Sequence, residues 1–372
     1  MKKIIMILTN GFDPDPRVYK EAKTLVQAGH DVEILCWDRE NKYINKEDEI
    51  IDGIKIKRFF ARSKYGTGYK QIIAYFKFIK EVKEYMKSKK YDALHCHDFD
   101  GLLIGSMLIK NDKNKKLVYD QHDLLYNYFM HRNGFFNKVI YRYIRYKEKI
   151  LLKKVDTHIV VSPNMAKLYD GHRNILIINN APYKTSFTDI KKEDRNKIVI
   201  GFIGGVRHYS QLKLLIDCSL DFKEHIDILL IGRGLALDKL KKYCLEHNVP
   251  HVSFAGGFKM SELEKLYKQI DITYAVYPKT AIVSMPNKFF ESIITETPII
   301  ADVNTEFGKI VYDKKFGFVI NSNQEVSTQL KDILRKIIND KNILNVIKSN
   351  MSKEKNKYCW ENNIESLLSI YE

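Results

Sequence analysis

The chain is 372 residues long, 45% hydrophobic and 29% charged, with a formal net charge of +16. That length exceeds one comfortable hydrophobic core and the apolar content excludes a disordered chain, so two folded domains are expected. The five cysteines (Cys36, Cys96, Cys218, Cys244, Cys359) form no Cys-x-x-Cys pair, which excludes a zinc knuckle and a disulfide framework; the start Met1-Lys2-Lys3 runs into Asn10, Gly11 and Asp13 too soon for a signal peptide, and a cytoplasmic chain is expected.

In chain order, apolar runs of strand length alternate with amphipathic helical stretches, the pattern of a parallel sheet covered by helices. Strands are expected at 3–9, 31–37, 54–60, 93–95, 116–120, 157–161 and 175–178. Helices are expected at 17–28, 69–89, 101–110, 135–154 and 163–169. A polar stretch, 183–197, reads as a linker, after which the alternation restarts with strands at 198–203, 226–231, 252–254, 272–276, 298–301 and 318–320. Glycines follow the restarted strands: Gly204-Gly205, Gly232 and Gly234, and Gly256-Gly257. The fold class is therefore α/β, two Rossmann-like doubly wound domains (1–182 and 197–357) facing across a cleft, with ligands beyond the carboxyl ends of the strands.

Charge is uneven. Residues 1–180 hold 34 Lys and Arg against 22 Asp and Glu, a balance of +12, which leaves +4 for the remainder. A basic first half suits an anionic partner, and ordinary solubilising charge is the alternative. The stretch 135–154 sets Lys138, Arg142, Arg145 and Lys149 beside Phe136, Ile140, Tyr143, Ile144 and Leu151. Such a helix either rests on anionic lipid or turns its apolar stripe to the core.

Ser284-Met285-Pro286-Asn287-Lys288-Phe289-Phe290-Glu291 is the most informative stretch. Pro286 suits the first helical position, the amides of Asn287 and Lys288 would favour an anion, and Glu291 lies one turn along the same face. A carboxylate there can accept both hydroxyls of a ribose. The plain alternative is a surface Lys288–Glu291 pair.

This stretch resembles the Pro-Asn-Lys-x-x-Glu signature of family 4 glycosyltransferases, retaining enzymes of the GT-B fold. Further resemblances follow in order: Asp15-Pro16-Arg17-Val18 with Glu21-Ala22 and Gly29-His30-Asp31-Val32; Tyr119-Asp120-Gln121-His122-Asp123; Val161-Ser162; Ile178-Asn179-Asn180; Ile231-Gly232-Arg233-Gly234; Phe254-Ala255-Gly256-Gly257; and Tyr358-Cys359-Trp360-Glu361, which resembles the family's last helix, placing 358–372 as a segment that crosses back to the first domain. The resemblance implies transfer of a sugar from a UDP- or GDP-linked donor to a glycan or lipid-linked acceptor of surface polysaccharide or glycoconjugate synthesis, with retention and without a metal or other cofactor.

It also implies roles. Arg207 would take the diphosphate bidentately and Lys288 would assist; Gly11, Gly204, Gly205, Gly232, Arg233, Pro286 and Asn287 would line the donor, Glu291 would hold its ribose, and His122 would face the reacting sugar. Departures exist. Val283 stands where many members carry a second glutamate, Met285-Pro286 replaces a Phe-Gly pair, and Lys213 has no assured equivalence to a family lysine.

Other readings compete. In His95-Cys96-His97-Asp98 the two histidines share a strand face, but no third metal ligand is assured. Asp13-Pro14-Asp15 spells a metal-binding Asp-x-Asp, yet Asp15 and Arg17 suit a helix cap and start better. A GT-B isomerase or phosphorylase would want further acid-base carboxylates or a pyridoxal lysine. A nucleic-acid-binding protein would want exposed aromatics among its basic patches, whereas most of the 23 tyrosines fall in helix or strand patterns; no nucleic-acid partner is expected.

Overall fold

The computed structural model describes all residues but 14, 64–68, 110, 111, 113, 126–133, 170, 173, 189, 190, 193, 194, 279–284 and 341. The chain forms two compact units, Met1–Asn179 with Asn363–Glu372, and Asn180–Asn362.

The first unit holds strands β1 (Lys3–Leu8), β2 (Asp31–Trp37), β3 (Asp48–Ile51), β4 (Ile54–Phe59), β5 (Ala93–His97), β6 (Lys116–Gln121), β7 (Thr157–Val160) and β8 (Ile175–Ile177). They form one sheet in the order β3-β4-β2-β1-β5-β6-β7-β8. All neighbours pair in parallel save β3 with β4. The second unit holds β9 (Ile198–Ile203), β10 (Ile226–Ile231), β11 (Val252–Gly256), β12 (Ile272–Ala275), β13 (Ile299–Asp302) and β14 (Gly317–Ile320), all parallel, in the order β11-β10-β9-β12-β13-β14. In each unit the winding reverses beside the first strand, between β1 and β5 and between β9 and β12, and such reversals open the crevices where ligands bind.

Every expected strand is present, its ends shifted by two residues at most. Strand β3 was not expected. Its Asp48-Glu49-Ile50-Ile51 is half acidic and sits on the sheet edge, where charge blunts further pairing. Asp52 and Gly53, at φ of 49° and 82°, turn it into β4 as a two-residue hairpin.

Helix Pro16–Gln27 starts on its cap: Asp15 Oδ1 accepts from the amides of Arg17 and Val18 at 3.1 and 3.3 Å. It ends where Gly29 takes φ of 84° and His30 N–H closes on the Leu25 carbonyl. The cap is the role that Asp15 plays in this structure.

Helix Phe135–Leu152 divides its apolar stripe. Ile144, Leu151 and Leu152 are buried in the core, while Phe135 and Phe136, 77% and 81% exposed, and Ile140 and Tyr143 face outward. The buried end is pinned by Glu148, which accepts hydrogen bonds from Tyr119 (3.0 Å), Gln121 (2.9 Å) and Tyr169 (3.1 Å).

At the C-terminus, Trp360 is wholly buried in the second unit, its amide on the Pro182 carbonyl at 2.8 Å. Residues 363–372 belong to the first unit: Asn363 bonds Asn179, and Tyr371 Oη meets His95 Nδ1 at 2.7 Å. Among the described residues no helix is long and apolar enough to cross a membrane.

Candidate functional site

In the second unit the loops after β9 and β10 interlock through backbone. Gly204 N–H donates to the Ile231 carbonyl at 2.9 Å, Val206 N–H to Arg233 O at 3.0 Å, and Gly232 N–H to Gly256 O at 2.6 Å. Gly204 and Gly232 sit at φ of 131° and 140°, where side chains are strained, and a Cβ on Gly232 would strike the Gly204 carbonyl. These glycines let two loops pack into one surface at the carboxyl ends of the strands. Arg207 and Arg233 are exposed on it, Arg207 bending back over Gly205.

The sheet then presents helix Asn287–Ile294. Pro286 caps it rather than filling its first helical position. Lys288 is buried, its Nζ 3.3 Å from the Phe202 ring centroid and 5.4 Å from that of Tyr277. Burial pushes its ammonium down to about 7, against the pull of Glu291. It stands beside Gly204, so the glycine loop and the helix start share one locale. Glu291 is also buried, and Tyr267 Oη donates to its Oε2 at 3.0 Å. Lys288 and Glu291 are thus no surface pair. Asn287 is exposed and its Oδ1 accepts from Asn180 Nδ2 at 3.0 Å. Val283 and Ser284 lie outside the described residues.

In the first unit His122 follows β6, and its surroundings are ionic. Nε2 meets Asp120 Oδ2 at 2.7 Å, and Nδ1 stands 3.7 Å from Asp98. Burial alone would lower this imidazole; Asp120 and then Asp98 lift it to about 10, so it is an imidazolium at neutral pH. Asp120 is clamped from the other side by Arg17, whose Nε and NH2 bond its two oxygens at 2.9 and 2.6 Å, while NH1 holds the Ile178 carbonyl at 2.9 Å. Against the cost of burial, Arg17 and His122 hold Asp120 well below the usual carboxylate range. Burial, with Asp120 close by, lifts Glu21 to about 8.

Gly11 lies in the loop after β1, beside a cavity of about 300 Å³ that Asn10, Asp38, Arg39 and Tyr43 also line. Its own φ is unremarkable for any residue; the left-handed turn falls on Phe12, at 49°. Arg58 fixes the loop by donating to the carbonyls of Gly11 and Phe12 at 3.1 and 3.3 Å.

The expected residues therefore fall into two groups, His122 and Gly11 in the first unit and the remainder in the second. Arg17, Asp120, Phe202, Tyr267 and Tyr277 were not expected at these sites. For Arg17 a signal existed, since a cation in a helix's first turn opposes the helix dipole and asks for a carboxylate partner.

Residues 17–180 match the family described as Glycosyltransferase Family 4, and residues 184–355 match Glycosyl transferases group 1. The chain belongs to the glycosyltransferases. An uncharacterized glycosyltransferase of Methanocaldococcus jannaschii is 21% identical over 290 residues, 74% of this chain and 72% of that protein. Among solved structures, this glycosyltransferase is similar to sucrose-phosphate synthase of Thermosynechococcus elongatus (TM-score 0.78, 15% identity, 100% and 98% of the two chains). It is also similar to HepE of Anabaena with UDP and glucose (TM-score 0.71, 15% identity, 99% and 98%), and to WaaG, a glycosyltransferase involved in lipopolysaccharide biosynthesis (TM-score 0.68, 13% identity, 98% of each). The two Rossmann-like units are those of the GT-B fold.

Proposed function

We propose that this glycosyltransferase moves a hexose, with retention, from a nucleoside-diphosphate sugar to a glycan or lipid-linked acceptor of surface polysaccharide or glycoconjugate synthesis. The observation that carries the donor half is the buried Lys288 at the start of helix Asn287–Ile294. Among the described residues this ammonium, over an aromatic ring and near an interlocked glycine loop, makes no ion pair with a carboxylate, and a diphosphate supplies that charge. Glu291, one turn on and held by Tyr267, is placed to take the ribose hydroxyls.

Positive charge for the departing diphosphate comes from Arg207, Lys288 and helix amides, so the transfer itself uses no metal. Gly204, Gly205, Gly232 and Arg233 shape the donor surface and Asn287 flanks it. His122, held as an imidazolium, donates to the sugar rather than acting as a base. HepE, solved with UDP-glucose, makes uridine donors the first to try, with guanosine donors next.

The acceptor half rests on helix Phe135–Leu152, which opens on exposed Phe135 and Phe136 and carries Lys138, Arg142, Arg145 and Lys149. Aromatic side chains with cations on the same helix fit the headgroup region of an anionic bilayer, which supports a position at the cytoplasmic membrane face.

Screening UDP- and GDP-sugars for thermal stabilisation tests the donor assignment. Stabilisation by one nucleotide series, and by its free diphosphate, is expected. No shift with any nucleotide at millimolar concentration overturns it.

A further inference from the structure

His95 and His97 stand two residues apart on β5, so their rings share one face of the sheet, stacked with centroids 4.6 Å apart. Helix Pro16–Gln27 lays Glu21 against them, the third ligand type that the sequence pattern lacked. One ligand atom each of Glu21, His95, His97 and Asp120 lies within 4.8 Å of those of the other three, and all four side chains are wholly buried.

Their hydrogen bonds are one-sided. Tyr371 Oη meets His95 Nδ1 at 2.7 Å and Asp120 Oδ2 meets His97 Nδ1 at 3.1 Å. The opposite ring atoms, Nε2 of both histidines, have no hydrogen-bond partner among the described residues, and neither does either oxygen of Glu21. Arg17 Nε forms an ion pair with Glu21 Oε1 at 3.1 Å, and His95 Nε2 stands 3.4 Å from Oε2. Two imidazole nitrogens and a carboxylate oxygen buried together without a hydrogen bond are uncommon, because each loses its water without replacement. A cation satisfies them together. The far-side bonds are those that ligating imidazoles make, with an oxygen group on the second ring nitrogen fixing the ring.

We propose that Glu21, His95 and His97 form a buried site for one divalent transition-metal cation of the zinc class. Two imidazoles and one carboxylate favour zinc or cobalt over magnesium or calcium, which take oxygen ligands. Arg17 remains on Asp120, which backs His97 and stands in reach as a fourth ligand. The ion joins helix Pro16–Gln27 to β5 and, through Tyr371, secures the C-terminal segment that returns to this unit. Its role is structural, and the donor chemistry proposed above neither needs nor excludes it.

The full chain, stripped with chelator and then refolded with cobalt(II), tests this. One cobalt per chain is expected to survive gel filtration, with a visible spectrum of nitrogen and oxygen ligation that zinc displaces. Tyr371→Phe keeps its shape and should bind cobalt about 10- to 100-fold more weakly through loss of the outer hydrogen bond; His97→Gln should not retain it. Absence of stoichiometric cobalt in the wild type overturns the proposal. So does equal retention by wild type and Tyr371→Phe, which decides the matter even if His97→Gln does not fold.

Discussion

Tyr267 Oη donates a hydrogen bond of 3.0 Å to Glu291 Oε2, and both side chains are buried. The bond fixes the carboxylate one turn inside its helix, and burial beside Glu291 raises the phenol well above its usual range, so it stays a donor. Glu291→Ala should weaken donor and free nucleoside diphosphate alike by about 1.5–3 kcal/mol, the range for a charged hydrogen bond. Tyr267→Phe should cost less, roughly 0.5–1.5 kcal/mol, because it only loosens the carboxylate. Calorimetric titration reads both; a folded Glu291→Ala chain with wild-type affinity contradicts the ribose assignment.

Lys288 makes donor binding depend on pH. Its ammonium sits at about 7 in the free protein, lowered by burial. Above that value the free protein holds neutral lysine and must take up a proton to bind a diphosphate, so affinity should fall roughly tenfold per pH unit from 7.5 to 9. Stability moves the other way. Between the folded value and the ordinary lysine value near 10.4 the unfolded chain binds more protons, so stability rises with pH across that window. Lys288→Met should bind weakly and lose most of the pH dependence. A wild-type affinity that stays flat from pH 6.5 to 9 rules out this role.

Arg17 and Asp120 predict a stability effect. Arg17→Met strands a buried carboxylate and should cost about 3–5 kcal/mol, with part recovered when Asp120→Asn is added. The chain has two tryptophans, Trp37 buried in the first unit and Trp360 in the second. In a Trp360→Phe background, Trp37 fluorescence reports first-unit unfolding alone. A loss below about 1 kcal/mol would mean that the pair is solvent-compensated.

Parallel topology explains what the sequence could and could not reveal. β9 reads as a strand because Ile198–Ile203 is an apolar run, which the fold buries at every position, and the glycines after β9 and β10 mark the proposed donor surface. The face that a helical residue presents depends on partners distant in sequence. Burial of Lys288 comes from Phe202 and Tyr277, and that of Glu291 from Tyr267, so a surface ion pair read equally well from spacing alone. His95 and His97 share a face by strand geometry, but Glu21 reaches them only through tertiary packing, its Oε2 3.4 Å from His95 Nε2. Likewise the stripe on Phe135–Leu152 looked uniform, whereas Glu148 and Ile144 tie one end to the core and leave Phe135 and Phe136 outside.

That exposed end predicts membrane contact. Four cations near an anionic surface contribute about 1 kcal/mol each, enough for reversible binding. Co-sedimentation with acidic vesicles should fall steeply with salt and disappear when Lys138, Arg142, Arg145 and Lys149 are all changed to Gln, while nucleotide affinity is kept. Equal, negligible pelleting with acidic and neutral vesicles at low salt would leave the stripe a solvated helix face.

Turnover itself is the most direct test of the donor account. The purified chain, with the stabilising nucleotide sugar, a membrane extract as acceptor and excess chelator, should release nucleoside diphosphate and form a glycoside with the donor's anomeric configuration by proton NMR. Release that vanishes with chelator and returns with magnesium or manganese, or a product of inverted configuration, would contradict a transfer carried by Arg207, Lys288 and helix amides.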